Sequence, residues 1–178
     1  EALIRCGALD GFESSRPEML WVLKIFSKHG EICPRLPASP LTIEQYNPRE
    51  KLIAELEHLN VTASGHLLAL YEINDKNIIP AQEMPRHNGR FVTLAGWLVS
   101  AKQTRTVKNE IMKFMTLEDA TALFEVVLFP KIYKRFGPLL YDRGPYIVKG
   151  RVKKQNRYLI LKALWINRIS KLINPVHT

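Results

Sequence analysis

The chain has 178 residues, of which 46% are hydrophobic and 24% are charged, and its 26 Lys and Arg outnumber its 17 Asp and Glu to give a formal net charge of +9. This apolar content excludes a wholly disordered chain, and the length allows one compact domain or two small ones. No apolar run approaches the roughly 18 residues that a membrane-spanning helix needs, so we expect no membrane partner. The basic excess favours a polyanionic partner, with nucleic acid as the first candidate.

The two cysteines, Cys6 and Cys33, have no second Cys or His at metal-ligand spacing. They predict neither a zinc site nor a disulfide framework, and we expect no cofactor and a cytoplasmic location. The chain starts at Glu1 without an initiator Met, which indicates a piece of a longer protein.

The charge is concentrated in the C-terminal half. Residues 1–85 carry 8 basic and 12 acidic side chains, a net charge of −4, whereas residues 86–171 carry 18 basic and 5 acidic side chains, a net charge of +13. We therefore expect any polyanion to bind the C-terminal half.

The N-terminal half has apolar residues at helical spacing. A capped helix is predicted between Ser15 and Gly30, and a second one from Asn47 to Asn60. A third helical piece is predicted after Ser64, and the prolines of residues 33–48 predict an extended connector.

From Gly89 onward the sequence predicts five strands, with one helix between the third and the fourth. This order is that of an OB fold, a five-stranded Greek-key barrel, so the fold class is mainly β with a helical N-terminal part. An SH3-like barrel would lack the internal helix, and a ferredoxin-like fold would need a second one. The predicted strands are 91–104, 110–118, 123–129, 144–153 and 158–168, and the predicted helix is 130–140.

Three stretches carry a resemblance to a known family. They are LIRCGALD at residues 3–10, SGH at 64–66, and MKFMTLED at 112–119 followed by FEVVLFP at 124–130. In this order they resemble the end of the helix-hairpin-helix region and the OB domain of the bacterial DNA polymerase III alpha subunit. Three positions depart from the usual family pattern, namely Leu9, Leu67 and Ala122. They point to a divergent branch, and both the main replicase and the accessory, error-prone type remain open.

The resemblance implies a division of the chain and a parent protein. Residues 1–32 would be the end of the helix-hairpin-helix region, 33–85 a Pro-rich linker with helices, 86–171 the OB domain and 172–178 a tail. The parent would be a DNA-directed DNA polymerase, a nucleotidyltransferase. Polymerase chemistry needs clustered aspartates around two metal ions, and this chain has no Asp-x-Asp pair. Glu118 and Asp119 adjoin at a predicted strand end, where neighbours point to opposite faces, so we predict no catalytic residue in this chain.

The predicted function is binding of single-stranded template DNA. OB folds hold single strands across their second and third strands, between the loops that join strands one to two and four to five. Basic residues in and beside these loops would contact phosphates, and Tyr158 is the best candidate for an exposed stacking ring. The candidate residues are Lys102, Arg105, Lys108, Lys113, Lys153, Lys154, Arg157 and Tyr158. The other strand aromatics are expected in the core, with Phe114 beside Met112 on the inner face.

A protein-interaction module is the alternative function. The barrel would then dock onto the remainder of the polymerase or onto the sliding clamp, although neither Gln45 nor Gln82 begins a clamp-binding pattern. A nuclease or synthetase appendage ranks third, and we expect no small-molecule substrate.

Overall fold

The computed structural model describes residues 1–29, 43–155, 158–170 and 172. The chain divides into two compact units, residues 1–66 and 67–178. This boundary lies earlier than the predicted domain boundary after residue 85. Residues 33–42 of the predicted connector, with Cys33, lie outside the described residues, as do Gly30 and the predicted tail except Leu172.

The N-terminal unit contains helices α1 (Ala2–Arg5), α2 (Arg16–His29) and α3 (Pro48–Leu59). The predicted start of α3 is confirmed, because the Asn47 side chain accepts hydrogen bonds from the backbone N–H groups of Arg49 and Glu50. The Glu50 carboxylate in turn accepts from the Asn47 backbone N–H, which completes a capping box. The predicted end is confirmed by Asn60, whose left-handed backbone (φ 57°) stops the helix.

A buried ionic cluster joins the helices of this unit. The Arg16 guanidinium is 4% exposed and donates to both carboxylate oxygens of Asp10, at 2.8 and 2.6 Å, and to Glu55 Oε1 at 3.1 Å. The second Glu55 oxygen accepts from the backbone N–H groups of Ala63 and Ser64 at 2.7 and 2.9 Å. Burial opposes the charge on Glu55, but these hydrogen bonds outweigh it and lower the pKa of Glu55 to about 2. One ionised carboxylate thus connects α2, α3 and the segment that follows α3.

The second unit contains a closed five-stranded barrel. The strands are β1 (Phe91–Arg105), β2 (Ile111–Glu118), β3 (Leu123–Leu128), β4 (Tyr146–Gln155) and β5 (Tyr158–Arg168), and helix α4 is Pro130–Phe136. The strand order in the barrel is β1-β2-β3-β5-β4. The predicted OB fold is confirmed, with α4 inserted between β3 and β4. Strands β3 and β5 pair in parallel, and every other neighbouring pair is antiparallel.

The barrel interior is filled by alternate residues of all five strands, most of them less than 2% exposed. Two irregularities let the sheet close on itself, one in β1 at Val99, between Leu98 and Ser100, and one in β5 at Leu164, opposite Lys149 and Gly150 of β4. At Gly150 a Cβ would lie only 2.5 Å from the Lys162 carbonyl oxygen, so this close approach of two strands requires glycine. The predicted core positions of Phe124 and Tyr146 are confirmed, at 3% and 0% exposure.

Two 3-10 helices precede the barrel, Leu67–Leu70 and Ala81–His87. The second lies at the end of the predicted linker 33–85, where no periodicity predicts a helix. It is fixed by Asp119, whose carboxylate accepts from the Ala81 backbone N–H at 2.7 Å and from Thr121 and Ala122 in the turn between β2 and β3. Burial opposes the charge on Asp119, yet these hydrogen bonds lower its pKa.

Candidate nucleic-acid interface

The residues of β2 that face outward are not the ones that were predicted to do so. Met115 and Leu117 are 1% and 0% exposed and face the barrel interior. Because successive strand residues point to opposite faces, Met112 and Phe114 lie on the outside. The expectation that Phe114 joins the barrel core is therefore wrong, and its ring is 37% exposed.

A small second cluster of buried residues lies beneath this outer surface. It consists of Met112, Val127 and Ile160, at 9%, 1% and 7% exposure. Val127 is the cross-strand partner of Phe114, so that ring has an apolar neighbour on β3. The outer side of the sheet thus carries an apolar layer, which is what a stacking surface for bases requires.

Besides Phe114, two aromatic side chains are open to solvent on this side, so that there are three in all. Tyr158 at the start of β5 is 73% exposed, in agreement with the exposure expected for it. Phe129, directly after β3, is 37% exposed, and the Lys162 ammonium lies 4.6 Å from its ring centroid. Phe129 was expected in the core with the other strand aromatics, and Lys162 was not among the predicted residues, although it follows Tyr158 by four residues and so shares its side of β5.

Exposed lysines border the aromatic residues. Lys102 on β1 is the cross-strand partner of Phe114, and Lys153 on β4 is that of Ile160. Lys154 is exposed beside Lys153, and Lys108 is exposed in the turn between β1 and β2. We call the outward residues of these strands the binding face. It comprises Lys102, Phe114, Thr116, Glu125, Phe129, Lys153, Tyr158 and Lys162, with Lys108 and Lys154 at its ends.

Arg105 and Arg157 are the two remaining predicted residues. Arg105 ends β1 and donates to Asn109 Oδ1 at 2.8 Å, which braces the exposed turn. Arg157 lies outside the described residues. The first and fourth strands were predicted to end at residues 104 and 153, whereas β1 and β4 continue to Arg105 and Gln155.

Lys113 was predicted to contact DNA, but its side chain is buried. Its side chain shares the inward side of β2 with Met115, is 8% exposed, and donates from Nζ to the Leu140 carbonyl at 3.2 Å. Burial lowers the pKa of this ammonium. Lys113 is therefore a structural donor that ties β2 to the segment after α4, and a nucleic acid on the outer surface cannot reach it.

The profile of the OB-fold nucleic acid binding domain matches residues 92–167, the span of the barrel. The DNA polymerase III subunit alpha of Halalkalibacterium halodurans is 29% identical over 114 residues, which cover 64% of this chain and 10% of that protein. The error-prone DNA polymerase of Symbiobacterium thermophilum is 24% identical over 204 residues, which cover 97% of this chain and 18% of that protein. The homologues of this chain are DNA polymerase III alpha subunits and error-prone DNA polymerases.

The resemblance seen in the sequence is thereby confirmed, and the chain spans less than a fifth of the length of these two polymerases. A domain of replication protein A from Methanococcus maripaludis is similar in structure, with 18% identity and a TM-score of 0.44; the match covers 53% of this chain and 97% of that domain. Within the described ranges, no three His, Cys, Asp or Glu side chains are placed to hold a metal ion. None of the described helices is long and apolar enough to cross a membrane.

Proposed function

We propose that the barrel binds single-stranded DNA on the binding face. The observation that carries this proposal is the combination, on the outer surface of the barrel, of three exposed aromatic rings with exposed lysines. Stacking of bases on aromatic rings stabilises a bound strand by about 1–3 kcal/mol per base and tolerates any sequence. Lysines beside the rings would neutralise phosphates and release counterions, so affinity would fall as salt rises.

We further propose that the chain acts as part of a DNA polymerase and keeps the single-stranded template near the polymerase site. The support is its homology to DNA polymerase III alpha subunits and error-prone DNA polymerases. A template-guiding surface must accept strands of any sequence, and rings and lysines do so because they contact base faces and phosphates rather than base edges. Nothing in the comparisons points to the sliding clamp as a partner.

The test is a fluorescence anisotropy titration of an oligo-dT of about 12 nucleotides, a length within the range of one OB fold. We expect salt-sensitive binding that a duplex of equal length competes for poorly. The double variant Phe114→Leu, Phe129→Leu keeps apolar side chains over Val127 and removes two π faces. We expect it to bind at least about thirtyfold more weakly, since each of the two lost stacks costs about 1 kcal/mol or more.

The matched control is Tyr141→Leu. Tyr141 is 74% exposed in the segment between α4 and β4, lies against Arg168 at the end of β5, and is not part of the binding face. Its variant should bind oligo-dT like the original chain. Equal affinity of the double variant and the control, or no binding at low salt, would contradict the proposal and favour a protein-docking barrel.

A further inference from the structure

A groove opens at one end of the binding face. Its volume is about 410 Å³, and it lies between the 3-10 helix Ala81–His87, the turn after β2, and the first residues of β3 and β5. Such a volume falls within the ~300–1,000 Å³ typical of small-molecule sites. The groove is lined by Ala81, Gln82, Met84, Pro85, Thr116, Ala122, Leu123, Phe124, Glu125, Tyr158 and Leu159.

The walls of this groove are apolar and held in place. Asp119 accepts from the Ala81 backbone N–H, and the Thr121 hydroxyl accepts from the Gln82 backbone N–H at 3.2 Å. These bonds fix the 3-10 helix against the β2–β3 turn. The opposite edge is marked by the largely exposed Tyr158 ring. A flat, apolar group that reaches the groove from the binding face would therefore find a pre-formed site with an aromatic ring beside it.

Glu125 is the one acidic group among these lining residues. It is exposed on the outward side of β3, between Thr116 of β2 and Ile160 of β5. Among the described residues its carboxylate has neither a hydrogen-bond partner nor an ion-pair partner. A carboxylate here repels phosphates, so it weakens DNA binding unless it contacts a part of the nucleotide that donates hydrogen bonds.

We propose that this groove is a base-binding subsite that selects a nucleobase with an exocyclic amino group. The proposal rests on the proposed single-stranded DNA function. An ionised carboxylate only accepts hydrogen bonds, and the N4 amino group of cytosine is a donor that Glu and Asp recognise in known complexes. Uracil and thymine present O4, an acceptor, at the same position, and two acceptors repel. The base would stack beside Tyr158 while Glu125 accepts from its amine.

The test compares two single strands that differ at the 4-position of the base. Oligo-dC and oligo-dU of about 12 nucleotides are titrated by anisotropy at mildly alkaline pH and low salt. We expect dC to bind about tenfold more tightly than dU, since one such contact discriminates by about 1–3 kcal/mol. Glu125→Gln should reduce this ratio to about twofold or less, because an amide both accepts and donates. The control Glu110→Gln removes the same charge before β2, outside the groove, and should keep the ratio.

The outcomes separate this inference from the proposed function. Loss of the dC preference in Glu125→Gln alone would support the subsite. Equal binding of dC and dU to the original chain, or a ratio that survives in Glu125→Gln, would overturn it while leaving single-stranded binding intact. An equal gain of affinity for both strands in Glu125→Gln would overturn it too, since Glu125 would then act only by repulsion. Failure to bind either strand would reject the proposed function and the subsite with it.

Discussion

At the scale of single residues, a comparison of Lys102 and Lys113 variants tests whether a lysine must be exposed on the binding face to contribute to DNA binding. Both are basic residues of the first two strands, but Lys102 is exposed next to Phe114 whereas Lys113 is buried and donates to the Leu140 carbonyl. We expect Lys102→Met to weaken oligo-dT binding about fivefold at low salt, as the loss of one phosphate contact does. Lys113→Met should change affinity by less than about twofold. Anisotropy titrations of the folded variants provide the measurement, and equal losses in both variants would contradict this assignment.

The error over Phe114 has a physical cause at this same scale. The stretch Ile111–Met115 has an apolar residue at every position except Lys113, so alternation alone does not show which side faces the core. The side is set by the pairing register of β2 with β1 and β3, which places Met115 and Leu117 inside. A lysine at the inward position favoured the opposite interpretation, because buried lysines are rare and need a partner. That partner, the Leu140 carbonyl, lies 27 positions further along the chain and leaves no local signal.

At the scale of elements, the sequence predicted the barrel well and the 3-10 helices poorly. Strands that alternate or carry dense apolar residues between polar turns have a strong periodic signal, and α3 has a capping box that can be read locally. The 3-10 helix Ala81–His87 has no such signal. It contains Pro85 and is held by Asp119, whose position 38 residues later becomes relevant only once β2 and β3 form their turn. The groove proposed as a base subsite, which this 3-10 helix lines, could therefore not be predicted from the sequence either.

The helices of the N-terminal unit depend on one carboxylate, which gives their stability a defined pH dependence. The pKa of Glu55 is about 2 in the folded unit, against 4.5 as its ordinary value, so the unfolded state binds the proton more readily. The resulting stabilisation is fully present above about pH 5 and is lost as the pH falls toward about 2. Its size is on the order of 3 kcal/mol. We expect Glu55→Gln to lower the free energy of unfolding at neutral pH by a similar amount, because it leaves Arg16 buried with one carboxylate fewer.

Urea unfolding of this unit can be followed by Trp21 fluorescence in a background of Trp97→Phe and Trp165→Phe. Between about pH 5 and pH 2 the original chain should lose more stability than Glu55→Gln, which retains only the smaller contribution of Asp10 and other acids. Glu57→Gln is the matched control, since Glu57 is exposed on the same helix. A pH dependence that is unchanged in Glu55→Gln would show that another group controls the acid sensitivity.

At the scale of the whole molecule, the net charge of +9 and the lysines of the binding face make different predictions about salt. A diffuse field attracts DNA at a distance, whereas contacts release a fixed number of counterions. For single strands the logarithm of affinity falls with the logarithm of salt at a slope of about −0.7 per phosphate contact. Four or five lysine contacts therefore give a slope near −3, which corresponds to an affinity loss of about 60-fold between about 50 and 200 mM salt.

Variants of single lysines can show whether phosphate contacts or the long-range electrostatic field of the molecule set this slope. Lys153→Met removes a proposed contact beside Ile160 and should make the slope shallower by about 0.7, so that the same salt increase costs only about 25-fold. Lys76→Met removes an equal charge from an exposed turn before the barrel, outside the binding face, and should leave the slope unchanged. Anisotropy titrations at four salt concentrations give both slopes. If the two variants shift the slope equally, DNA responds to the net charge of the molecule, and the proposal that the binding face makes specific phosphate contacts is wrong.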